Sequence, residues 1–190
     1  MDNLTHSMTG WTLARLFPQQ RWGPWVTPVG ILGANLPDFE FLFVPRGDKP
    51  FYLMHHRGWS HCILGIVGEI LLFTCIVLFL GWLLARRDPK KSMPRWGPVL
   101  LVISITAASH LLLDWFNTYG VRPLFPFDET RIYGDLAFLV EPWIWLMFLA
   151  GLILGSPIRK PSEELPLGPK ARAQLTLILL LISVAMCAIL

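Results

Sequence analysis

Residues 62–85 form a long apolar segment, CILGIVGEILLFTCIVLFLGWLLA, that indicates the fold class of this chain. Its only charged residue is Glu69, and the basic pair Arg86 and Arg87 follows it directly. A bilayer whose hydrocarbon core is about 30 Å thick is crossed by roughly 20 apolar helical residues. This stretch is therefore long enough and apolar enough to span a membrane as one helix.

Three further apolar stretches are predicted to be spans: Gly97–Tyr119, Phe138–Gly155 and Arg172–Leu190. Two shorter helices are predicted before them, Asn3–Phe17 and Pro24–Leu36, each followed directly by a proline that ends it. We expect an all-α fold: a polytopic membrane helical bundle of four long spans plus an N-terminal pair of short helices. No linker divides the chain, so residues 1–190 are predicted to form a single domain.

Composition supports a membrane protein, because 54% of the residues are apolar and only 15% are charged, against about 25% charged in soluble domains. The bilayer is thus the first expected partner. The net charge of +3 is small and the basic residues form no continuous stripe, so a nucleic-acid partner is not expected. The three cysteines have no CxxC spacing and are read as core thiols. Nothing in the sequence indicates an oligomeric state.

Basic residues between the apolar stretches predict the orientation, because positive loops tend to remain in the cytoplasm. Residues 86–95 form the most basic loop, and alternation of the spans places residues 156–170 on the same side. Residues 45–59 and 120–136 then face the exterior. We expect a multi-pass protein of the bacterial inner (plasma) membrane, with its unusual polar residues toward the periplasmic, or outer, face.

The most specific polar pattern is SHLLLDWFN, residues 109–117. His110, Asp114 and Asn117 recur at i, i+4 and i+7, which places them on one stripe of a helix. Ionisable groups within a membrane span are costly unless they are paired, so such residues are functional candidates. The alternative is a buried His–Asp hydrogen bond that only holds helices together.

A second pattern, HHRGWSH at residues 55–61, gathers three histidines at the start of a helix. His56 and His61 are predicted ligands for a divalent cation, with Zn²⁺ as the first choice and Mn²⁺ or Fe²⁺ as alternatives. Arg57 is predicted to contact a phosphate, because its planar guanidinium pairs with two oxygens. The alternative is a solvated loop with incidental histidines.

Four further candidates are expected at the same level of the bundle, and each is weaker on its own. Asp38 follows a predicted helix end and His6 belongs to the first short helix; these are candidate metal ligands. Asp135 and Glu141 flank the start of the next helix and are candidate general bases or further ligands. Asp38 and His6 also have ordinary readings, as a residue at the start of a loop and as a surface residue.

These motifs resemble the YdjM-like family of LexA-binding, inner-membrane-associated, metal-dependent hydrolases. The resemblance covers residues 1 to about 155 and rests on MDNLTHSMTG (1–10), NLPD (35–38), HHRGWSH (55–61), SHLLLD (109–114), residues 117–127 and the pair Glu141-Pro142. It implies a divalent-metal site built from His6, Asp38, His56, His61, His110 and Asp114. Through a distant similarity to zinc phospholipase C and nuclease P1, it also implies phosphoester hydrolysis. Ser60 stands where we expect threonine, and Glu141 where we expect aspartate.

Together these observations predict a metal-dependent hydrolase acting on a lipid or lipid-linked phosphoester, with Arg57, Asp135 and Glu141 in catalytic roles. Two other classes of protein stay open. A transporter or ion-binding protein also carries intramembrane histidines and acids. A non-catalytic scaffold would hold its metal in a saturated, purely structural site.

Overall fold

The computed structural model describes residues 1–43, 57–88, 90–136 and 142–155, together with residues 170, 171, 174, 175, 177, 178 and 181. Its α-helices are α1 (Asn3–Arg15), α2 (Gln19–Trp22), α3 (Val26–Ala34), α4 (Ile63–Arg87), α5 (Trp96–Phe116) and α6 (Pro142–Gly155). Short 3₁₀ helices cover Leu36–Phe43 and Trp59–His61. Apart from an isolated bridge between Val121 and Ile132, regular structure in these ranges is helical, which confirms the predicted helical class.

The predicted spans are confirmed in part. Among the described residues, α4 and α5 are long and apolar enough to cross a membrane. They match the expected stretches at residues 62–85 and 97–119 to within a few residues. Helix α6 has 14 described residues, and most of residues 172–190 lie outside the described ranges. The four-span architecture therefore stays a prediction.

Helix α4 has one narrow buried stripe, formed by Ile66, Thr74, Val77 and Gly81. Leucines and aromatic residues elsewhere on it are exposed, among them Leu72 at 64% and Phe79 at 57%. Burying such side chains would normally stabilise a protein in water by about 1.5–3 kcal/mol each. Exposed apolar side chains of this kind are expected on a helix that faces lipid rather than water.

Helix α5 carries the core of the bundle. Its buried positions follow the helical repeat from Val99 through Val102, Ile103 and Thr106, and they end at the polar pair His110 and Asp114. One helix face thus changes from apolar packing to two ionisable side chains near its C-terminal end. Helices α1, α3 and α4 pack around this face.

Small residues let α1, α3 and α5 approach closely. A Cβ added to Gly10 of α1 would collide with the main-chain oxygen of Gly30 on α3. A Cβ added to Gly33 of α3 would lie 2.5 Å from Thr106 Oγ1 and 3.3 Å from Ile103 Cα on α5. This close packing brings the start of α1 and the end of α3 beside the polar end of α5.

Candidate metal centre

Three imidazoles and two carboxylates meet beside the C-terminal half of α5. His6 comes from α1, His61 from the second 3₁₀ helix, and His110 and Asp114 from α5; each is completely buried. Asp38, from the first 3₁₀ helix, has a side chain that is 13% exposed. We call these five residues the His–Asp cluster. The structure thus brings together five of the residues that the sequence predicted to lie at one level.

The donor atoms of the cluster are close to one another. The Nε2 atoms of His61 and His110 lie 3.2 Å apart. Asp114 Oδ2 lies 3.3 Å from His61 Nε2 and 3.6 Å from His110 Nε2, and Asp38 Oδ1 lies 3.6 and 3.7 Å from the same two nitrogens. His6 Nε2 is 3.4 Å from Asp114 Oδ1, and its ring stacks on that of His110.

This geometry fits a divalent cation. A tetrahedral site with metal–nitrogen bonds of about 2.1 Å separates its donor atoms by about 3.4 Å, close to the distances observed. Two sets of three donor atoms each lie within 4.8 Å: His6, Asp38 and His110, and His61, His110 and Asp114. Both ring nitrogens of His6 are buried without a hydrogen-bond partner among the described residues. Unsatisfied buried nitrogens of this kind are costly, and a cation would satisfy one of them.

Burial and charge act differently on the groups around α5. Burial, followed by the charge of His110, lowers the pKa of His6 from 6.5 to about 4, so this ring is neutral at physiological pH. Burial also acts to lower the pKa of His61, but hydrogen bonding to Asp114 and Asp38 outweighs it and raises that pKa. Burial acts to raise the pKa of Asp38, whereas His61 and His110 outweigh it and lower that pKa. Asp38 is therefore ionised at neutral pH and can offer a negatively charged oxygen to a cation.

Arg57 is buried and contacts the cluster directly. Its Nη2 lies 3.0 Å from Asp114 Oδ2, and its Nη1 donates to Asn117 Oδ1 and to the main-chain oxygen of Gly120, each at 3.1 Å. Its main chain has a φ of 61°, a left-handed conformation that is uncommon for a residue other than glycine. Arg57 thus compensates the charge of Asp114; its predicted contact with a phosphate stays a prediction.

One of the predicted site residues, Asp135, does not join the cluster, and two others lie outside the described residues. Asp135 is exposed, has a φ of 52°, and makes no hydrogen bond or ion pair with the described residues of the cluster. His56 and Glu141 lie outside the described residues. Their predicted roles stay untested.

Sequence reasoning missed three groups that contact the cluster or its ligands. The ammonium group of Met1 forms a buried ion pair with Asp114 Oδ1. Ser60 contacts the ring of His61, and Glu40 contacts Ser60. Ser60 lies within the quoted HHRGWSH motif, whereas no local pattern distinguishes Glu40 or the Met1 amine from surface groups.

Comparison with known proteins identifies the family. The model of the family described as YdjM inner membrane protein matches residues 1–190. The chain therefore belongs to this family of inner membrane proteins, which confirms the resemblance seen in the motifs. No curated protein and no solved structure matches the chain.

Proposed function

We propose that this YdjM-family chain is a multi-pass, membrane-embedded, metal-dependent hydrolase that cleaves a phosphoester of a lipid or lipid-linked substrate at the outer face of the inner membrane. The observation that carries the proposal is the convergence of three imidazoles and two carboxylates, with the donor-to-donor distances of a metal site. Zn²⁺ is the preferred cation, and Mn²⁺ or Fe²⁺ are alternatives. Histidine with carboxylate is a donor set found in catalytic zinc sites, whereas structural zinc sites are mostly built from cysteine.

Each residue of the cluster has a defined part in this proposal. His61, His110 and Asp114 would be the first ligands, with His6 and Asp38 completing the site. When bound, the cation supplies a Lewis acid that activates water and polarises the ester. Arg57 holds the Asp114 carboxylate in place through its 3.0 Å contact. Asp135 and Glu141 remain the candidates for general base.

The position of the cluster supports a site at the outer membrane boundary. Along α5, His110 lies about 21 Å from Trp96, at the opposite end from the basic residues Arg86, Arg87 and Arg95. Exposed aromatic side chains lie near the same face of the bundle. Trp59 precedes the start of α4, and Tyr119 and Tyr133 follow the end of α5. Such residues are enriched at membrane–water interfaces, where a lipid headgroup would approach the cluster.

Metal content and turnover of the detergent-purified protein test the proposal. We expect the wild type to retain a divalent metal and to hydrolyse phospholipid vesicles or bis-p-nitrophenyl phosphate. His110→Ala should lose both properties. Leu112→Ala, which alters an exposed side chain on the same helix, should keep them. A fully active, metal-loaded His110→Ala protein would refute the assignment.

Transport is the second candidate function, and Glu69 is the observation that favours it. This carboxylate lies within α4, and its Oε2 atom is buried with no hydrogen-bond partner among the residues described. Buried acids in membrane spans mark ion pathways in many transporters. Metal flux into proteoliposomes that disappears in Glu69→Gln, without any hydrolysis, would favour this alternative.

A further inference from the structure

Two 3₁₀ helices are joined by hydrogen bonds behind His61. The hydroxyl of Ser60 donates to Glu40 Oε2, and Glu40 Oε1 accepts the main-chain N–H of Arg57 at 3.1 Å. Ser60 Oγ also lies 2.8 Å from His61 Nδ1. A chain of contacts therefore runs from the Glu40 carboxylate, through one hydroxyl, to the ring nitrogen that faces away from the cluster.

The chemistry of these groups fixes the direction of each hydrogen bond. An ionised carboxylate can only accept, and a serine hydroxyl has one proton to donate. Since that proton is donated to Glu40, Ser60 Oγ is an acceptor toward His61. In the neutral ring, His61 Nδ1 must then carry the one ring proton, which leaves a lone pair on Nε2 directed at Asp38, His110 and Asp114.

His110 is held in the same tautomer by a different acceptor. Its Nδ1 lies 2.7 Å from the main-chain oxygen of Ala34, which can only accept. The two Nε2 atoms, 3.2 Å apart, therefore face each other as lone pairs and cannot form a hydrogen bond between them. Two nitrogen lone pairs and two carboxylates repel one another at these distances, and a cation bound between them would remove the repulsion.

We infer that Glu40, acting through Ser60, is a positioning residue that holds His61 as its Nδ1–H tautomer and so makes His61 Nε2 a metal ligand. This inference rests on the proposed metal centre and adds to it the hydrogen-bonded device, Glu40 and Ser60, that sets the tautomer of one ligand. Without that device, a neutral His61 would place its proton on Nε2, where two carboxylates lie within 3.6 Å as acceptors. Groups that orient metal-binding histidines in this way commonly change metal affinity roughly 10–100-fold.

The tautomer can be measured directly in the metal-free protein. Histidine-selective ¹⁵N labelling in lipid nanodiscs gives the ring-nitrogen shifts, and the His61→Gln variant assigns the His61 signals. At a pH above the raised pKa of His61, where the ring is neutral, we expect Nδ1–H at His61 in the wild type and in Ser60→Thr, and a shift toward Nε2–H in Ser60→Ala. Ser109→Ala is the matched control, because the Ser109 hydroxyl donates to Thr106 and not to a ring. A wild-type His61 protonated on Nε2 alone would overturn the inference.

Zn²⁺ affinity, measured by chelator competition, provides the second measurement. Ser60→Ala and Glu40→Gln should weaken binding by roughly 10–100-fold, while Ser60→Thr and Ser109→Ala should bind as the wild type does. Wild-type affinity in Ser60→Ala, or an effect of Ser60→Ala that Glu40→Gln does not share, would overturn the role of Glu40. If the wild type binds no metal, the proposed function fails, and the tautomer measurement still decides whether Ser60 controls the His61 ring.

Discussion

His110 Nδ1 lies 2.7 Å from the main-chain oxygen of Ala34, the last residue of α3. His110, a proposed metal ligand on α5, is thus oriented by a neighbouring helix through a fully buried contact. The contact depends on how closely α3 and α5 approach, since a hydrogen bond weakens steeply as its atoms separate. The spacing of these two helices should therefore control the geometry of the proposed metal site.

Gly33→Ala tests this dependence. The added Cβ would lie 2.5 Å from Thr106 Oγ1 and 3.3 Å from Ile103 Cα, so the Thr106 side chain must shift and α3 and α5 must separate by a few tenths of an ångström. We expect a loss of about 1–3 kcal/mol in the free energy of unfolding and weaker retention of metal, measured by thermal unfolding and elemental analysis. Gly68→Ala is the control, because no heavy atom lies within 4 Å of its added Cβ. Equal metal content in both variants would contradict the dependence.

Removing the Arg57 side chain should destabilise the metal-free protein more than the metal-bound protein. Its Nη2 compensates the completely buried Asp114 carboxylate, and breaking a buried ion pair costs about 3–5 kcal/mol. Arg57→Asn is the better variant, because asparagine tolerates the left-handed main chain found at this position. A bound cation would replace part of the lost charge, so the loss of thermal stability should be smaller with Zn²⁺ than with a chelator.

Arg131→Ala is the matched control for Arg57→Asn. Arg131 is exposed, and its guanidinium donates to the main-chain oxygen of Tyr119 at 3.2 Å. This substitution should change stability little, with or without metal. An equal loss of stability in the two variants would show that the contact between Arg57 and Asp114 stabilises the protein no more than the exposed contact of Arg131 does.

Acid is expected to destabilise the metal-free protein through His6. Burial lowers the pKa of His6 from 6.5 to about 4, so between these values the unfolded chain binds a proton that the folded chain does not. The free energy of unfolding therefore falls as the pH drops through this window, by ~3 kcal/mol in total. His61 acts in the opposite direction: its pKa is raised by Asp114 and Asp38, so its stabilisation is present at low pH and lost as the pH rises through that pKa.

The His6→Gln variant isolates the contribution of His6. Thermal unfolding of the wild type and the variant is measured with a chelator, in steps from neutral pH down toward the pKa of His6. The stability of the variant should fall less steeply than that of the wild type as the pH decreases. His61 is unchanged in both proteins, so its opposing effect cancels in the comparison. Parallel curves would mean that His6 takes up its proton equally well in the folded chain.

Membrane orientation predicts which residues a membrane-impermeant maleimide can reach from the periplasm. The positive-inside rule places the basic loop around Lys90 in the cytoplasm, and Phe127, which is 87% exposed, lies in the segment after the opposite end of α5. In a background without the native cysteines, Phe127→Cys should be labelled in intact spheroplasts and Lys90→Cys only after lysis. The reverse pattern would put the His–Asp cluster on the cytoplasmic side.

Features that depend on local spacing could be predicted from the amino-acid sequence. An apolar run long enough to span a bilayer predicted α4, and the i, i+4 spacing of His110 and Asp114 placed both on the buried stripe of α5. Proline positions predicted the pair of short N-terminal helices, α1 and α3, although not the single turn of α2 between them. Helical hydrogen bonds join residues four apart, which is why such patterns are readable along the chain.

The groups that contact the cluster could not be predicted in this way, because they come from distant parts of the chain. Glu40 reaches Ser60, the Ala34 carbonyl reaches His110, and Arg57 turns to Asp114, while Asp135 remains exposed. The partners in these contacts lie 20 to 76 residues apart along the chain. Whether these partners come into contact depends on how closely the helices and loops pack. No periodicity in the sequence predicts the distance between segments that lie so far apart along the chain.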